Sequence, residues 1–119
     1  PVAPATTSVN IVQDVIRDSI GFSGLLMSDD ISMGALAGSI GDRTKAAIAA
    51  GCDMVLHCNG KMNEMRAVAA AVPGLAGASA RRADAALILR RPPVPIDVAV
   101  RRAEFLKLMA GTEPAPGSA

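Results

Sequence analysis

The chain has 119 residues and a formal net charge of +1; half of its residues are hydrophobic and 19% are charged. That length suits one domain and is too short for two ordinary ones, the composition argues against long disorder, and no apolar run approaches the ~18 residues of a membrane-spanning helix. Trp and Tyr are absent and Phe occurs twice, so a core must be built from Ala, Val, Leu, Ile and Met, and stacking on bases or flat cofactors has little support. A globular chain of this size buries roughly two thirds of the surface exposed by its unfolded form. No signal-peptide pattern is present. The chain opens at Pro1 rather than Met, as an excised or processed piece does.

Residues 1–7 read as an irregular lead-in. Thr7 or Ser8 can cap a helix over about 9–19, with Val12, Val15, Ile16 and Ser19 on one face, and Gly21 ends it. Leu25-Leu26-Met27 is a short, continuous apolar run, the pattern of a strand buried on both faces, and it stops at Ser28-Asp29-Asp30. A loop with Gly34, Gly38 and Gly41 follows. Asp42 can cap a helix through Ala50, closed by Gly51. A second strand is expected over Asp53-Met54-Val55-Leu56-His57-Cys58, ended by Asn59-Gly60. Helices are then predicted over about 62–72, stopped by Pro73-Gly74, and over about 79–89, stopped before Pro92-Pro93. The segment 92–95 should be extended. Asp97 caps a last helix to Ala110, with Val98, Phe105, Leu108 and Met109 inward, and 111–119 reads as a disordered tail.

The order is α-β-α-β-α-α-α. Alternating strands and helices with apolar strands imply an α/β fold with parallel pairing. Two parallel strands leave two open sheet edges, which a self-sufficient domain rarely tolerates. The pattern therefore reads as one side of a larger α/β protein.

Charge is mildly split: residues 1–60 carry three basic and six acidic side chains, and residues 61–119 carry nine and five. The doublets Arg81-Arg82, Arg90-Arg91 and Arg101-Arg102 lie on separate elements without interleaved aromatics, so solvated helix faces are expected rather than nucleic-acid binding. Cys52 and Cys58, six apart on a strand, lie about 20 Å from each other at ~3.3 Å per residue, too far for a disulfide. Two free thiols without an export signal point to a reducing cytoplasm. A C-x5-C spacing with a single His is a poor zinc signature. Neither metal nor cofactor is implied.

In parallel α/β folds, active groups gather where strands end on their carboxyl side. Here that selects Ser28-Asp29-Asp30 and His57-Cys58-Asn59. Two adjacent carboxylates behind a buried strand face burial and like-charge repulsion, which favours a catalytic or binding use. The plainer alternative makes one Asp a turn cap and the other a salt-bridge partner. A lone His in a strand reads first as a hydrogen-bonded core or rim residue, and Asp53 at a strand start as a structural acceptor of loop amides. Met33 either lines a pocket or fills a gap. The Gly34/Gly38 loop lacks both phosphate-cradling spacings.

The segment Gly21-Phe22-Ser23-Gly24-Leu25-Leu26-Met27-Ser28-Asp29-Asp30-Ile31-Ser32-Met33-Gly34-Ala35-Leu36 resembles the nucleophile segment of family 3 glycoside hydrolases, most of all the bacterial β-N-acetylhexosaminidase branch. Ala50-Gly51-Cys52-Asp53-Met54-Val55-Leu56-His57-Cys58-Asn59 resembles the next strand of that family, and Pro4-Ala5-Thr6 with Ser8 its approach to the preceding helix. The resemblance covers about residues 4–110. It implies a partial TIM (β/α)8 barrel whose seventh and eighth strands are the two read here. It implies hydrolysis of terminal, non-reducing β-linked N-acetylglucosamine with retention, in cytoplasmic peptidoglycan recycling, on a saccharide or muropeptide. Asp29 corresponds to the nucleophile, Asp30 to a supporting position and Met33 to a residue packed beside the sugar. The acid/base His, its orienting Asp and the sugar-binding Arg and Lys-His of the family lie in a segment this chain does not contain. His57 matches a variable position and receives no acid/base role. The chain alone should be inactive, and the rest of the barrel is expected from the full-length protein or another chain. Two rival classes remain: a receiver-like phosphoacceptor domain, which needs an acidic pair and a Lys on other strands that are not visible, and a non-catalytic αβ piece packed on a partner.

Overall fold

The computed structural model describes residues 3–111; the expected tail lies almost wholly outside them. A 3-10 turn, Ala5–Thr7, leads into a helical segment from residue 9 that is wound as a π-helix over Ile11–Ser19. Of the two expected caps Ser8 serves, its Oγ accepting from the Ile11 amide at 3.4 Å, while the Thr7 hydroxyl donates to the Pro4 carbonyl. The wider π turn shifts the inner face. Val12 is buried and Ile16 half-buried, but Val15 and Ser19, both expected inward, are exposed.

Strand β1 is Met27–Asp30 and β2 is Met54–Leu56; they pair in parallel as a two-stranded sheet. Both are displaced or shortened from expectation. β1 starts at Met27, the last residue of the expected run Leu25-Leu26-Met27, because the ladder begins opposite Met54, and the Leu26 carbonyl already accepts from Asp53 and Met54. Met27 is 48% exposed, so β1 is not covered on both faces. His57 and Cys58 lie beyond the end of β2.

Helix α1, Ile40–Ala50, follows the loop after β1. Its cap is Ser39, not Asp42. The Ser39 hydroxyl accepts the Asp42 amide, and the Asp42 carboxylate accepts the Ser39 amide, a reciprocal capping box. Gly51 ends the helix at φ +113°, a left-handed conformation that suits glycine. Helices α2, Met62–Ala71, α3, Gly77–Ile88, and α4, Val98–Ala110, lie close to their expected spans, and Asp97 Oδ1 accepts from Ala99 and Val100 as a cap should.

The core is small. Val12, Ala47, Ala50 and Cys52 form it, with Leu26 and Val55 packed against them, where the π-helix, α1 and β2 converge. Gln13 Nε2 ties this junction together by donating to the Ala50 carbonyl at 3.1 Å. Every residue of α4 is exposed, including Val98, Phe105, Leu108 and Met109, which were expected to face inward. The accessible surface of 8886 Å² far exceeds the ~6,000 Å² of a compact protein of this mass. The radius of gyration, 20.2 Å against ~13.5 Å, agrees. The expected two-thirds burial is therefore not reached. No helix among the described residues is long and apolar enough to cross a membrane.

Candidate active site

The carboxyl ends of β1 and β2 bring Ser28-Asp29-Asp30 beside His57-Cys58-Asn59. The pairing carries a bulge: Met27 faces Met54 and Asp30 faces Leu56, so the β1 side holds one extra residue. Ser28 fills the gap. It is buried, and its Oγ accepts the Leu56 amide at 3.0 Å while donating to the Asp29 carbonyl at 2.7 Å. A side chain thus replaces a ladder carbonyl at the point where the chain must turn.

The two carboxylates differ in use. Asp30 is half-buried and committed on both oxygens. Its Oδ1 accepts the Ser32 amide at 2.9 Å and the Cys58 amide at 3.2 Å, and its Oδ2 accepts the Ser32 hydroxyl at 2.6 Å. The Ser32 hydroxyl and amide hold the Asp30 carboxyl below its ordinary range, with the Cys58 amide adding to them against desolvation. Asp29 is exposed; its Oδ1 accepts the Asp30 amide at 2.7 Å, and its Oδ2 has no hydrogen-bond partner among the described residues. The two carboxylates thus engage different donors, Asp29 the Asp30 amide and Asp30 the Ser32 and Cys58 groups.

The loop after β1 is held from inside. Ile31 and Leu36 are buried, and Arg43 on α1 donates to the carbonyls of Ile31, Met33 and Gly38 at 2.9–3.1 Å. Met33 is left 43% exposed beside the acidic turn. Met33 therefore does not fill a gap in the core.

His57, half-buried as a residue, has a side chain only 6% exposed. Its Nε2 lies 2.9 Å from Glu64 Oε2 on α2, and Asn59 Nδ2 donates to the same oxygen at 2.6 Å. These bonds, the His57 contact foremost, bring the Glu64 carboxyl down to about 2. The expectation of a hydrogen-bonded rim histidine holds.

At the opposite ends of the strands, Asp53 is the structural acceptor anticipated, with partners that sequence reading missed. Its Oδ2 accepts the Leu26 amide at 2.9 Å and Arg17 at 2.7 Å; its Oδ1 accepts the Ser79 hydroxyl at 2.6 Å and Arg82 at 2.8 Å. Burial pushes the carboxyl up, but the four donors outweigh it and bring it to about 2. Arg17 also donates to the Phe22 and Gly24 carbonyls and lies over the Phe22 ring. Arg82 belongs to a doublet read as solvated, and only its neighbour Arg81 is fully exposed. Both cysteines are free, Cys52 buried and Cys58 exposed.

Residues 2–88 match the family described as Glycosyl hydrolase family 3 N terminal domain. A protein named Beta-hexosaminidase from Tolumonas auensis is 40% identical over 86 residues, covering 71% of this chain and 25% of that protein. Its namesake from Idiomarina loihiensis is 36% identical over 87 residues, 71% and 26% of the two chains. That from Methylobacillus flagellatus is 51% identical over 59 residues, 47% and 17%. The crystal structure of CbsA from Thermotoga neapolitana aligns with a TM-score of 0.62 over 86% of this chain and 26% of that one, at 23% identity, a likeness of fold alone. The chain spans about a quarter of the length of the curated relatives it matches.

Proposed function

Since the chain belongs to glycoside hydrolase family 3, we propose that it supplies the nucleophile of a retaining β-N-acetylglucosaminidase. Membership of that family sets aside the receiver-like alternative. The observation that carries the assignment is the division of labour in the acidic doublet. Asp30 has both oxygens engaged by Ser32 and Cys58, whereas Asp29 is exposed at a strand end with Oδ2 free among the described residues.

In this reading Asp29 attacks the anomeric carbon as the leaving oxygen departs, forming a covalent glycosyl-enzyme that water then opens, so configuration is retained. Asp30 fixes the turn that aims Asp29, and Met33 packs beside the sugar. The acid/base group lies outside this chain, and without a proton donor the leaving step alone loses ~10²–10⁴-fold. The two-stranded sheet with both edges open, and the unusually large surface, support a chain that forms the last two βα units of a TIM barrel over residues 1–110. The remainder would come from the full-length protein or another chain. The substrate class is a saccharide or muropeptide with terminal N-acetylglucosamine, a reading supported by the names of the relatives, and we place the reaction in peptidoglycan recycling in a reducing cytoplasm.

A fluorinated N-acetylglucosaminide trap on the complete enzyme, followed by peptide mapping, tests this. Label on Asp29 is expected. Label on Asp30 or His57, or no label in an enzyme that hydrolyses the parent glycoside, overturns it.

A further inference from the structure

Two backbone amides of the β2 terminus grip the residues on either side of Asp29. Leu56 N–H donates to Ser28 Oγ and Cys58 N–H to Asp30 Oδ1. His57 lies between those two donors in the chain, so whatever fixes His57 fixes both. We propose that His57, tethered by Glu64, is a positioning residue for the Asp29 turn, a role that rests on the reading of Asp29 given above.

Four observations support the tether. The His57 side chain is almost wholly enclosed, at 6% exposure, although it lies past the end of the ladder. Its only hydrogen bond among the described residues runs from Nε2 to Glu64 on the first turn of α2, at 2.9 Å. Glu64 is itself held in place: Asn59 Nδ2 donates to the same Oε2, Lys61 Nζ lies 3.4 Å from Oε1, and the Lys61 amide donates to Asn59 Oδ1. The fourth is a local penalty. His57 Nδ1 is buried and has no hydrogen-bond partner among the described residues. A buried polar atom left unpaired is unfavourable, and an apolar side chain would fill the same space without it. The position tolerates that penalty because Nε2 forms the bond to α2.

The protonation pattern follows from the partner. Glu64, brought down to about 2, is a carboxylate at neutral pH and can only accept. Nε2 therefore carries the hydrogen that it donates. The result is a rigid path from α2 through Glu64 and His57 to the two amides. A nucleophile requires this kind of fixed approach, because small misplacements are costly in rate.

Steady-state kinetics of the complete enzyme on 4-nitrophenyl N-acetyl-β-glucosaminide provide the test, with Glu64→Ala, Glu64→Gln and His57→Phe as variants. A positioning pair acts through Asp29 rather than on the sugar, so KM should stay within about twofold of wild type, while Glu64→Ala and His57→Phe lower kcat by roughly 10- to 100-fold, the scale of a misplaced attacking group. Glu64→Gln keeps an acceptor for Nε2–H and should recover kcat to within about threefold. His57→Phe fills the same space and reports on the tether should Glu64→Ala not fold. The inference falls if kcat of both disruptive variants stays within about twofold of wild type, if KM moves as much as kcat, or if Glu64→Gln is as impaired as Glu64→Ala. Wild-type enzyme inert on this glycoside would overturn the functional reading and this one with it. An active wild type with unaffected variants would overturn the positioning role alone.

Discussion

Among the described residues the Asp53 carboxylate accepts more hydrogen bonds than any other, and Asp53→Asn measures what they contribute. The carboxylate joins four segments: the π-helix through Arg17, the entry to β1 through the Leu26 amide, the start of β2, and α3 through Ser79 and Arg82. Its side chain is 2% exposed, that of Arg17 9% and that of Arg82 30%. The ordinary carboxyl value of 3.8 falls to about 2 here. At 1.36 kcal/mol per unit, that corresponds to about 2 kcal/mol of stability at neutral pH. The folded value is the lower one, so this stability is full above the unfolded value and is lost as pH falls through about 2.

Asparagine must turn its amide toward one pair of donors. The less costly choice is the Ser79 side, because that hydroxyl can rotate to accept and the more exposed Arg82 can move into water. Arg17 then stays enclosed without a counter-charge, and breaking a buried pair from one side costs about 3–5 kcal/mol. We expect a loss near the lower end of that range in urea unfolding of the complete protein at pH 7, and a much smaller loss near pH 2, where wild-type Asp53 is itself partly protonated. Urea is the suitable denaturant because guanidinium would screen the pairs. A loss below about 1 kcal/mol at pH 7, or one equal at both pH values, would refute the assignment of Asp53 as a charge-dependent hub.

Gly51→Ala should destabilise by more than about 1 kcal/mol, since it combines a left-handed φ with a Cβ directed into Gln13 Nε2 and Val12 Cγ1; an unchanged melting temperature would contradict this. A thiol reagent at neutral pH should titrate exposed Cys58 quickly and reach Cys52 only on unfolding, because burial both covers the Cys52 thiol and pushes it up, with Asp53 adding to the effect. Two equally fast thiols in the folded protein would count against the core described here.

What could be read from the sequence was mostly local. Gly51, Asp97 and the spans of α2 and α4 rest on caps and stop signals that act over four residues or fewer. The acidic doublet was legible as a strand-end site, but the strand itself was placed about two residues early. The apolar run Leu25-Leu26-Met27 is itself only partly covered, with Met27 48% exposed, and the ladder begins where Met54 arrives. The shift from Asp42 to Ser39 has a similar cause: both residue types cap helices, and the capping box uses both at once. The Asp53 hub could not be read, because its partners lie 26 to 36 residues away and its arginines carry no local signal. The exposed face of α4 has a different origin. The periodic apolar positions are present, but no other described element covers them.

The acidic doublet shows how one short motif divides its tasks. Ser28 and Asp30 lie two residues apart, and both take amides from the β2 terminus. Asp29, between them, is exposed and takes only the Asp30 amide among the described residues. A one-residue slip would put Asp29 in the place of Ser28 against the Leu56 amide and leave Asp30 where Asp29 now lies. The bulge opposes such a slip, because Ser28 Oγ can satisfy the Leu56 amide only when the extra residue sits on β1. Aspartate at position 28 would present no hydroxyl to donate to the Asp29 carbonyl and would place a third carboxylate beside two others. The order Ser-Asp-Asp is therefore a register mark. The hydroxyl satisfies the ladder amide, the second carboxylate closes the turn, and the first keeps its Oδ2 without a hydrogen-bond partner among the described residues.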